Sequence, residues 1–353
     1  MAAVAPARDV TFRVLQHVST GAFASDALRQ ACAPLDARDA ALAESIVFGC
    51  LRFQAQLDFL IGHYSGKPRQ KLDDEVRIAL RMGIYQLRYL ERIPPHAAVT
   101  ESVELVKKAG KRSASGFVNA ILRKVNRSAV SWPDRATELS IPAWMLGHWE
   151  QAYGTSAAEG IAKAALIEPE SSLNETTERH QDIGAQSIVP LLEIESGMSV
   201  LDLCAAPGNK TAQAIAAGGR VVAADRVWKR LISVPAEAAR VVLDAALPLP
   251  FRSTFDRILV DAPCSGTGTL ARNPEIKWRL TPENLPRYQA RQHAILKNAL
   301  ACLAPGGRLV YSTCSLEREE NETVVAGCAV QKVSLRLPGR DAGDGFFAAV
   351  ITP

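Results

Sequence analysis

From the first residues to about position 130, apolar side chains recur at three- and four-residue steps, the spacing of amphipathic helices. Leu42, Ile46, Cys50, Leu51, Leu57, Leu60 and Ile61 keep that spacing and predict one long helix over residues 37–64. Asp73 opens another, carried by Val76, Ile78, Leu80, Ile84, Leu87 and Leu90, which must end before Ile93-Pro94-Pro95. Residues 96–109 and 113–125 give two more, parted by Gly110. Short polar breaks between such helices predict an all-α bundle.

Between Trp132 and Gln181 the texture changes. Pro133, Pro142 and Pro169 interrupt it, and residues 171–180 are polar except for Leu173. This stretch is expected to connect two domains. After Gln186 the period switches to short apolar runs, at 200–203, 221–224, 241–243, 258–260 and 309–311, alternating with helical stretches such as 212–216. Apolar strands separated by helices predict a parallel sheet covered on both faces. The expected organisation is therefore a helical domain over 1–130, a connecting segment over 131–185 and an α/β Rossmann-like domain over 186–353.

Composition narrows the class. Of 353 residues 48% are apolar and 22% charged, globular values, and no apolar run reaches the ~18 residues of a membrane span. The first ten residues carry Arg8 and Asp9 where a secretory signal needs an apolar run, so a cytoplasmic protein without membrane contact is expected. Seven cysteines are an odd, scattered set without a Cys-x-x-Cys pair, which predicts free thiols and no metal. Cys32, Cys50, Cys302 and Cys328 read as small apolar residues at helical positions.

The net charge of +4 is unevenly spread. Residues 1–150 hold 20 Lys and Arg against 15 Asp and Glu, whereas the remainder holds 21 against 22. Lys107, Lys108, Lys111, Arg112, Arg123, Lys124 and Arg127 form a run with no acid among them. Such a run is either a solvated helix face or a phosphate-binding patch.

The chemistry gathers at the strand ends, where open parallel sheets bind ligands. After the first strand come Cys204, Ala205, Ala206, Pro207, Gly208, Asn209 and Lys210, small residues that let a ligand approach the backbone before a helix begins. The pattern matches neither the dinucleotide fingerprint nor the P-loop. Asp225, about 20 residues on, stands at the spacing of a ribose-binding acid; Asp244 and Asp261 end the third and fourth strands. Three acids at apolar strand ends favour a nucleoside ligand over a purely structural role. Cys264 and Cys314 follow the fourth and fifth strands in hydroxyl- and glycine-rich loops, an arrangement consistent with covalent catalysis.

The strings Asp202-Leu203-Cys204-Ala205-Ala206-Pro207-Gly208, Asp261-Ala262-Pro263-Cys264-Ser265, Asn273-Pro274-Glu275-Ile276-Lys277-Trp278 and Tyr311-Ser312-Thr313-Cys314-Ser315 resemble the RNA cytosine-C5 methyltransferases. The closing Asp344-Gly345-Phe346-Phe347 fits the same pattern, and residues 6–128 resemble the NusB-type RNA-binding fold. The resemblance implies a methyltransferase that takes S-adenosylmethionine as cofactor and RNA, most of all 16S rRNA, as partner, with Cys314 as nucleophile at cytosine carbon 6 and Cys264 assisting release. It implies Asp261 on the cytosine edge, residues 204–210, Asp225, Asp244 and Asp261 around the cofactor, and the 107–127 run on RNA. Lys210 is expected to lend positive field to Cys314, and a monomer is expected. Asn209 replaces the family's usual Gly, and its tolerance of left-handed backbone should preserve the turn. The stretches 151–180 and 226–243 are shorter than the family's. Rival readings are an amine methyltransferase, disfavoured because Cys264 stands where that chemistry uses an aromatic residue, a tRNA-directed cytosine methyltransferase, and a non-catalytic RNA-binding assembly factor.

Overall fold

The computed structural model describes residues 4–66 and 71–352; Met1–Ala3, residues 67–70 and Pro353, and with them the outer domain bounds at 1 and 353, lie outside the described residues. The chain divides into two compact units. One runs to Leu146 and takes in Asn273–Arg279; the other comprises residues 147–272 and 280–353.

The first unit is helical: α1 (Pro6–Ser19), α2 (Ala24–Ala31), α3 (Ala37–Arg52), α4 (Gln54–Ser65), α5 (Asp74–Tyr89), α6 (Pro95–Lys108) and α7 (Ser115–Leu122). Their apolar faces share one core containing Ile46, Leu57, Leu60, Leu80, Ile84, Leu105 and Leu122. α3 lies against α5 so closely that a Cβ on Gly49 would meet the Tyr85 ring at 1.9 Å.

The single helix expected over 37–64 is two. Phe53 leaves the helical region at φ −100°, ψ 19°, and its ring packs on Tyr85 and Tyr89. A one-residue break leaves the three- and four-residue spacing intact on either side, so periodicity could not reveal it. Cys302 and Cys328, expected in helices, sit in turns, and Cys32 caps α2; Cys50 alone is helical.

Helix ends leave carbonyls and N–H groups unpaired, and the segment Asn273–Arg279 answers three such ends. At the carboxyl end of α3, Lys277 Nζ donates to the Arg52 carbonyl at 2.8 Å and Trp278 Nε1 to that of Leu51 at 2.7 Å. Arg279 donates to the carbonyls of Val18, Gly21 and Ala22 at the end of α1. Glu275 Oε1 accepts from the Ala24 N–H, which opens α2, at 2.9 Å. Each charge has the sign that complements its helix dipole.

The second unit is built on a seven-stranded sheet: β1 (Ser199–Leu203), β2 (Arg220–Asp225), β3 (Ala239–Val242), β4 (Phe255–Asp261), β5 (Leu303–Thr313), β6 (Val330–Arg336) and β7 (Phe346–Ile351). The spatial order is β3-β2-β1-β4-β5-β7-β6. The first five strands pair in parallel, as expected, but β7 runs antiparallel to both β5 and β6, so the sheet is mixed rather than wholly parallel. The apolar runs are continuous because both faces are covered: Leu201, Ile258, Leu309 and Tyr311 enter one core, and Val200, Leu259 and Val310 the other.

The stretch read as a connector is folded. It carries the helices Arg135–Glu138, Ala143–Tyr153 and Thr155–Ala164 and the hairpin Leu173–Asn174 with Arg179–His180. Within the second unit, the fully buried Trp149 donates to Glu317 at 3.0 Å and Tyr153 to the Leu316 carbonyl at 2.6 Å. No described helix is long and apolar enough to cross a membrane.

Candidate active site

Strand order reverses between β1 and β4, and the crevice outside such a switch point is where α/β sheets hold ligands. The loop leaving β1 turns sharply, with Cys204 at φ +63° and Gly208 at φ +98°. A Cβ on Gly208 would lie 2.7 Å from Val234 Cα, so this position admits only glycine. Asn209 is not the left-handed residue it was expected to be. It begins helix α8 (Asn209–Ala216), accepting from Arg179 Nε at 2.9 Å and donating to the His180 carbonyl at 3.1 Å.

A cavity of about 310 Å³ opens here, lined among others by Asp202, Cys204–Pro207, Asn209, Lys210 and Asp261. In the sequence Asp202 stands out only as part of a motif, yet it is the most unusual residue of the wall. It is 1% exposed, accepts from Thr211 Oγ1 at 2.6 Å through one oxygen, and has no hydrogen-bond partner for the other. Burial, reinforced by Asp261 and Asp225, raises its pKa to about 7. The signal was in the sequence: an acid inside the apolar strand Val200-Leu201-Asp202-Leu203 must have a reason to be there.

Lys210 Nζ lies 2.7 Å from Asp261 Oδ2 and 5.2 Å from the centre of the Phe346 ring. Burial pulls its pKa down, but the charge and hydrogen bond of Asp261 outweigh burial and leave it above the ordinary lysine value, with Cys314 contributing. Asp261 Oδ1 accepts from Ser312 at 3.0 Å. The Cys264 and Cys314 sulfurs, 50 residues apart in sequence, are 3.4 Å apart in space. The hydrogen bond to Cys314, with burial and the charges of Glu320 and Asp261, pushes the Cys264 thiol well up, so Cys264 holds its proton at neutral pH. Burial likewise pushes Cys204 up to about 12.

Two expected cofactor acids do not line this cavity. Asp225 is buried at the end of β2, accepting from the Val227 N–H at 2.9 Å and facing Arg230 at 3.5 Å. Asp244, two residues past β3, is tied to Arg291 at 2.8 Å and to the Ala246 N–H at 3.0 Å. Sequence reasoning also missed Arg272, which lines the cavity with Asp182 and bridges it at 2.9 Å to Asp344 at 2.8 Å; burial, with the charge of Asp182, raises Asp344 to about 7. Elsewhere in this unit packing, not sequence spacing, brings His148, Glu317 and Glu319 together. Glu317 there already accepts from Trp149 and faces His148 at 3.4 Å.

In the helical unit most of the basic run is engaged. Lys107 pairs with Glu104, Lys108 with Asp9 and Lys111 with Asp73 and Glu75; Lys124 donates to the Tyr64 carbonyl, and Arg127 to those of Leu87 and Leu90. Lys108, Arg112, Arg123, Lys124 and Arg127 are all exposed.

The family model for the 16S rRNA methyltransferase RsmB/F matches residues 189–336, and the NusB family model matches residues 5–127. The chain is 31% identical to the probable ribosomal RNA small subunit methyltransferase B of Bacillus subtilis (strain 168), over 80% of this chain and 78% of that protein. It is 30% identical to the ribosomal RNA small subunit methyltransferase B of Escherichia coli O127:H6 (strain E2348/69 / EPEC), over 95% and 96%. That second alignment runs to 412 positions for a chain of 353 residues, so the relative carries internal stretches this chain lacks. The fold is that of the crystal structure of PH0851, with a TM-score of 0.79 and 18% identity over the whole of both chains. It also resembles a methyltransferase homologue from Pyrococcus horikoshii, with a TM-score of 0.52 and 21% identity over 63% of this chain and all of that one. With 31% and 30% identity sustained along most of this chain and of the two ribosomal RNA small subunit methyltransferases B, the chain belongs to the ribosomal RNA small subunit methyltransferase B family.

Proposed function

We propose that this protein is an S-adenosylmethionine-dependent methyltransferase of small-subunit (16S) rRNA that modifies carbon 5 of a cytosine through a covalent bond from Cys314 to carbon 6. The observation that carries the reading is the pair of thiols 3.4 Å apart at the ends of β4 and β5, beside Asp261 and Lys210. A reaction needing one methyl transfer and no thiol would have no use for two.

The cofactor's fit rests on the cavity beneath the β1 loop. Its wall offers an unpartnered carboxylate oxygen on Asp202 and close backbone at Cys204–Pro207, an acceptor and a cradle for a ligand bearing ammonium and sulfonium charge. Bound there, S-adenosylmethionine supplies an electrophilic methyl group.

The chain's own residues do the rest. Carbon 5 of cytosine is a weak nucleophile until electron density enters the ring. Cys314 provides it by attacking carbon 6 as thiolate, the new S–C bond making carbon 5 enamine-like. Lys210, which interacts electrostatically with Cys314, places positive charge near the attacking sulfur. Asp261, fixed by Lys210 and Ser312, is placed to hydrogen-bond the cytosine edge. After methylation the carbon 5 proton leaves to a base, the S–C6 bond breaks, and Cys314 departs with the bond pair while Cys264 assists release. Carbon 6 is inaccessible in a stacked helix, so the base must be unpaired or flipped.

Trapping tests the roles. Cys264→Ala should accumulate a protein–RNA species that survives denaturing electrophoresis and depends on S-adenosylmethionine, whereas Cys314→Ala should form none. The opposite pattern exchanges the two roles, and no adduct from either variant beside normal wild-type turnover overturns the covalent mechanism.

A further inference from the structure

A buried carboxylate that pairs with no cation has to be solvated by donors, and where those donors sit shows what it holds in place. Glu320 is 0% exposed and forms no ion pair among the described residues. Its Oε2 accepts from the Ser265 N–H at 2.8 Å and from Gln292 Nε2 at 2.9 Å. Its Oε1 accepts from Ser315 Oγ at 2.6 Å and from Ser265 Oγ. Ser265 follows Cys264 in the chain, and Ser315 follows Cys314.

The residues before the two cysteines are held by the same group. Gln292, already bound to Glu320, donates to the Pro263 carbonyl at 3.0 Å. Asn321, next in the chain, accepts from Thr313 Oγ1 at 2.5 Å and donates to the Ser315 carbonyl at 2.9 Å. Glu320 itself is moored by Tyr311, whose hydroxyl donates to its backbone carbonyl at 2.7 Å. Each cysteine is thus bracketed on both sides by residues that converge on Glu320 and its two neighbours in the network, and the serine hydroxyls also meet at 3.0 Å.

We propose that Glu320 is a positioning residue that sets the spacing and facing of the Cys264 and Cys314 thiols by tying the two loops that carry them to one carboxylate. The assignment rests on the reading of both thiols as reacting groups. Glu320 touches neither sulfur by hydrogen bond; it acts through the serines. Without it four donors at the junction lose their acceptor; further ties between the two loops, from the Gly268 N–H to the Cys314 carbonyl at 2.8 Å and from the Leu316 N–H to Thr267 Oγ1 at 2.9 Å, engage residues beyond Ser265.

Phenylarsine oxide, which condenses with two neighbouring thiols, forming two As–S bonds and releasing water, reads the spacing without RNA or cofactor. Intact-mass spectrometry of the full chain should show a single bridged product for the wild type that is lost in Cys264→Ala. Glu320→Ala, with unchanged circular dichroism, should bridge at least tenfold more slowly. Glu320→Gln, which keeps the length and one acceptor oxygen, should recover most of the rate. In methylation assays Glu320→Ala should lower kcat ~10²-fold, the usual consequence of displacing a reacting group by about 1 Å, with KM for RNA unchanged. Should Glu320→Ala fail to fold, the double variant Ser265→Ala, Ser315→Ala keeps the carboxylate, removes both hydroxyl ties and carries the same expectation. Wild-type bridging in either variant overturns the proposal, as does failure of the wild type itself to bridge. Loss of bridging in the variants from a wild type that bridges but never methylates cytosine would uphold the spacing role while retiring the cytosine reading.

Discussion

Asp202→Asn separates the cost of a buried charge from its use. The substitution keeps an oxygen for the Thr211 hydroxyl and replaces the ionisable carboxyl by a neutral amide of the same shape. In the folded chain burial lifts the carboxyl pKa from the ordinary 3.8 to about 7, so the folded state holds a proton that the unfolded state has already released. Wherever the folded state binds more protons, stability falls as pH rises. The wild type therefore has its full stability from this group below about pH 4, loses it progressively up to about pH 7, and above that carries a deficit of about 4 kcal/mol. The asparagine variant has no such window. Urea unfolding at pH 5, 6, 7 and 8 should show the variant gaining on the wild type by about 3 kcal/mol between the two ends.

Binding should change in the opposite sense. If the unpartnered oxygen receives the cofactor's positive charge, calorimetric affinity of the wild type for S-adenosylmethionine should rise with pH by at most tenfold per unit until about pH 7 and then level. The variant should bind more weakly with no such slope. A stability gap independent of pH would refute the argument that Asp202 is buried at electrostatic cost. Equal affinities with equal slopes would refute its use in binding.

Two further outcomes follow from the helical unit. Reversing Arg112, Arg123 and Lys124 to Glu should weaken RNA binding and reduce the slope of log affinity against log salt by about 0.7 to 0.9 for each phosphate the variant no longer neutralises, read by fluorescence anisotropy over a salt series; an unchanged slope makes the run a solvated face. Lys277 is buried against the end of α3, and burial, with Arg52 adding to it, lowers its pKa to about 7. The folded state therefore sheds this proton first, and wild-type stability should rise between about pH 7 and 10.5 by up to about 1.4 kcal/mol per unit. Lys277→Met should abolish that rise in denaturant titrations at pH 7 and 9, and identical pH dependence in both proteins would show that the amine is not desolvated.

Much of the fold was legible because burial writes itself into periodicity. The five parallel strands fell on or beside the short apolar runs that predicted them; four are covered on both faces and so have no polar alternation, whereas β3, at the sheet's edge, is exposed or half-buried throughout. What escaped was set by long-range partners. Phe53 breaks a helix because Tyr85 and Tyr89 receive its ring, and no local pattern announces that. β7 presents the apolar run Phe346–Ile351, but its antiparallel pairing with β5 and β6 depends on topology and not on composition. The segment Asn273–Arg279 is the sharpest case. It lies inside the stretch that codes for the sheet, yet its two cations and one carboxylate meet the ends of α1, α2 and α3, more than 200 residues away. Sequence reading could register its motif and not its address.

At the site, residue type was legible and state was not. Of the acids along β1 to β5 and the loops that follow them, five bear on the site, Asp202, Asp225, Asp244, Asp261 and Glu320, and sequence spacing treated Asp225, Asp244 and Asp261 alike. The donors each one receives tell them apart. Glu320 is met by four donors from three residues and has no oxygen left over, the condition of a carboxylate whose work is internal. Asp225 and Asp244 each accept from a backbone N–H and face an arginine, so a ligand would have to compete for them. Asp261 is shared between Lys210 and Ser312 at the level of the thiols. Asp202 alone of the five is buried with one oxygen satisfied and the other bare. An uncompensated buried oxygen is expensive, and it is retained where something outside the chain completes it. By that reasoning the acid that sequence spacing overlooked, rather than Asp225, is the first to mutate in search of the cofactor.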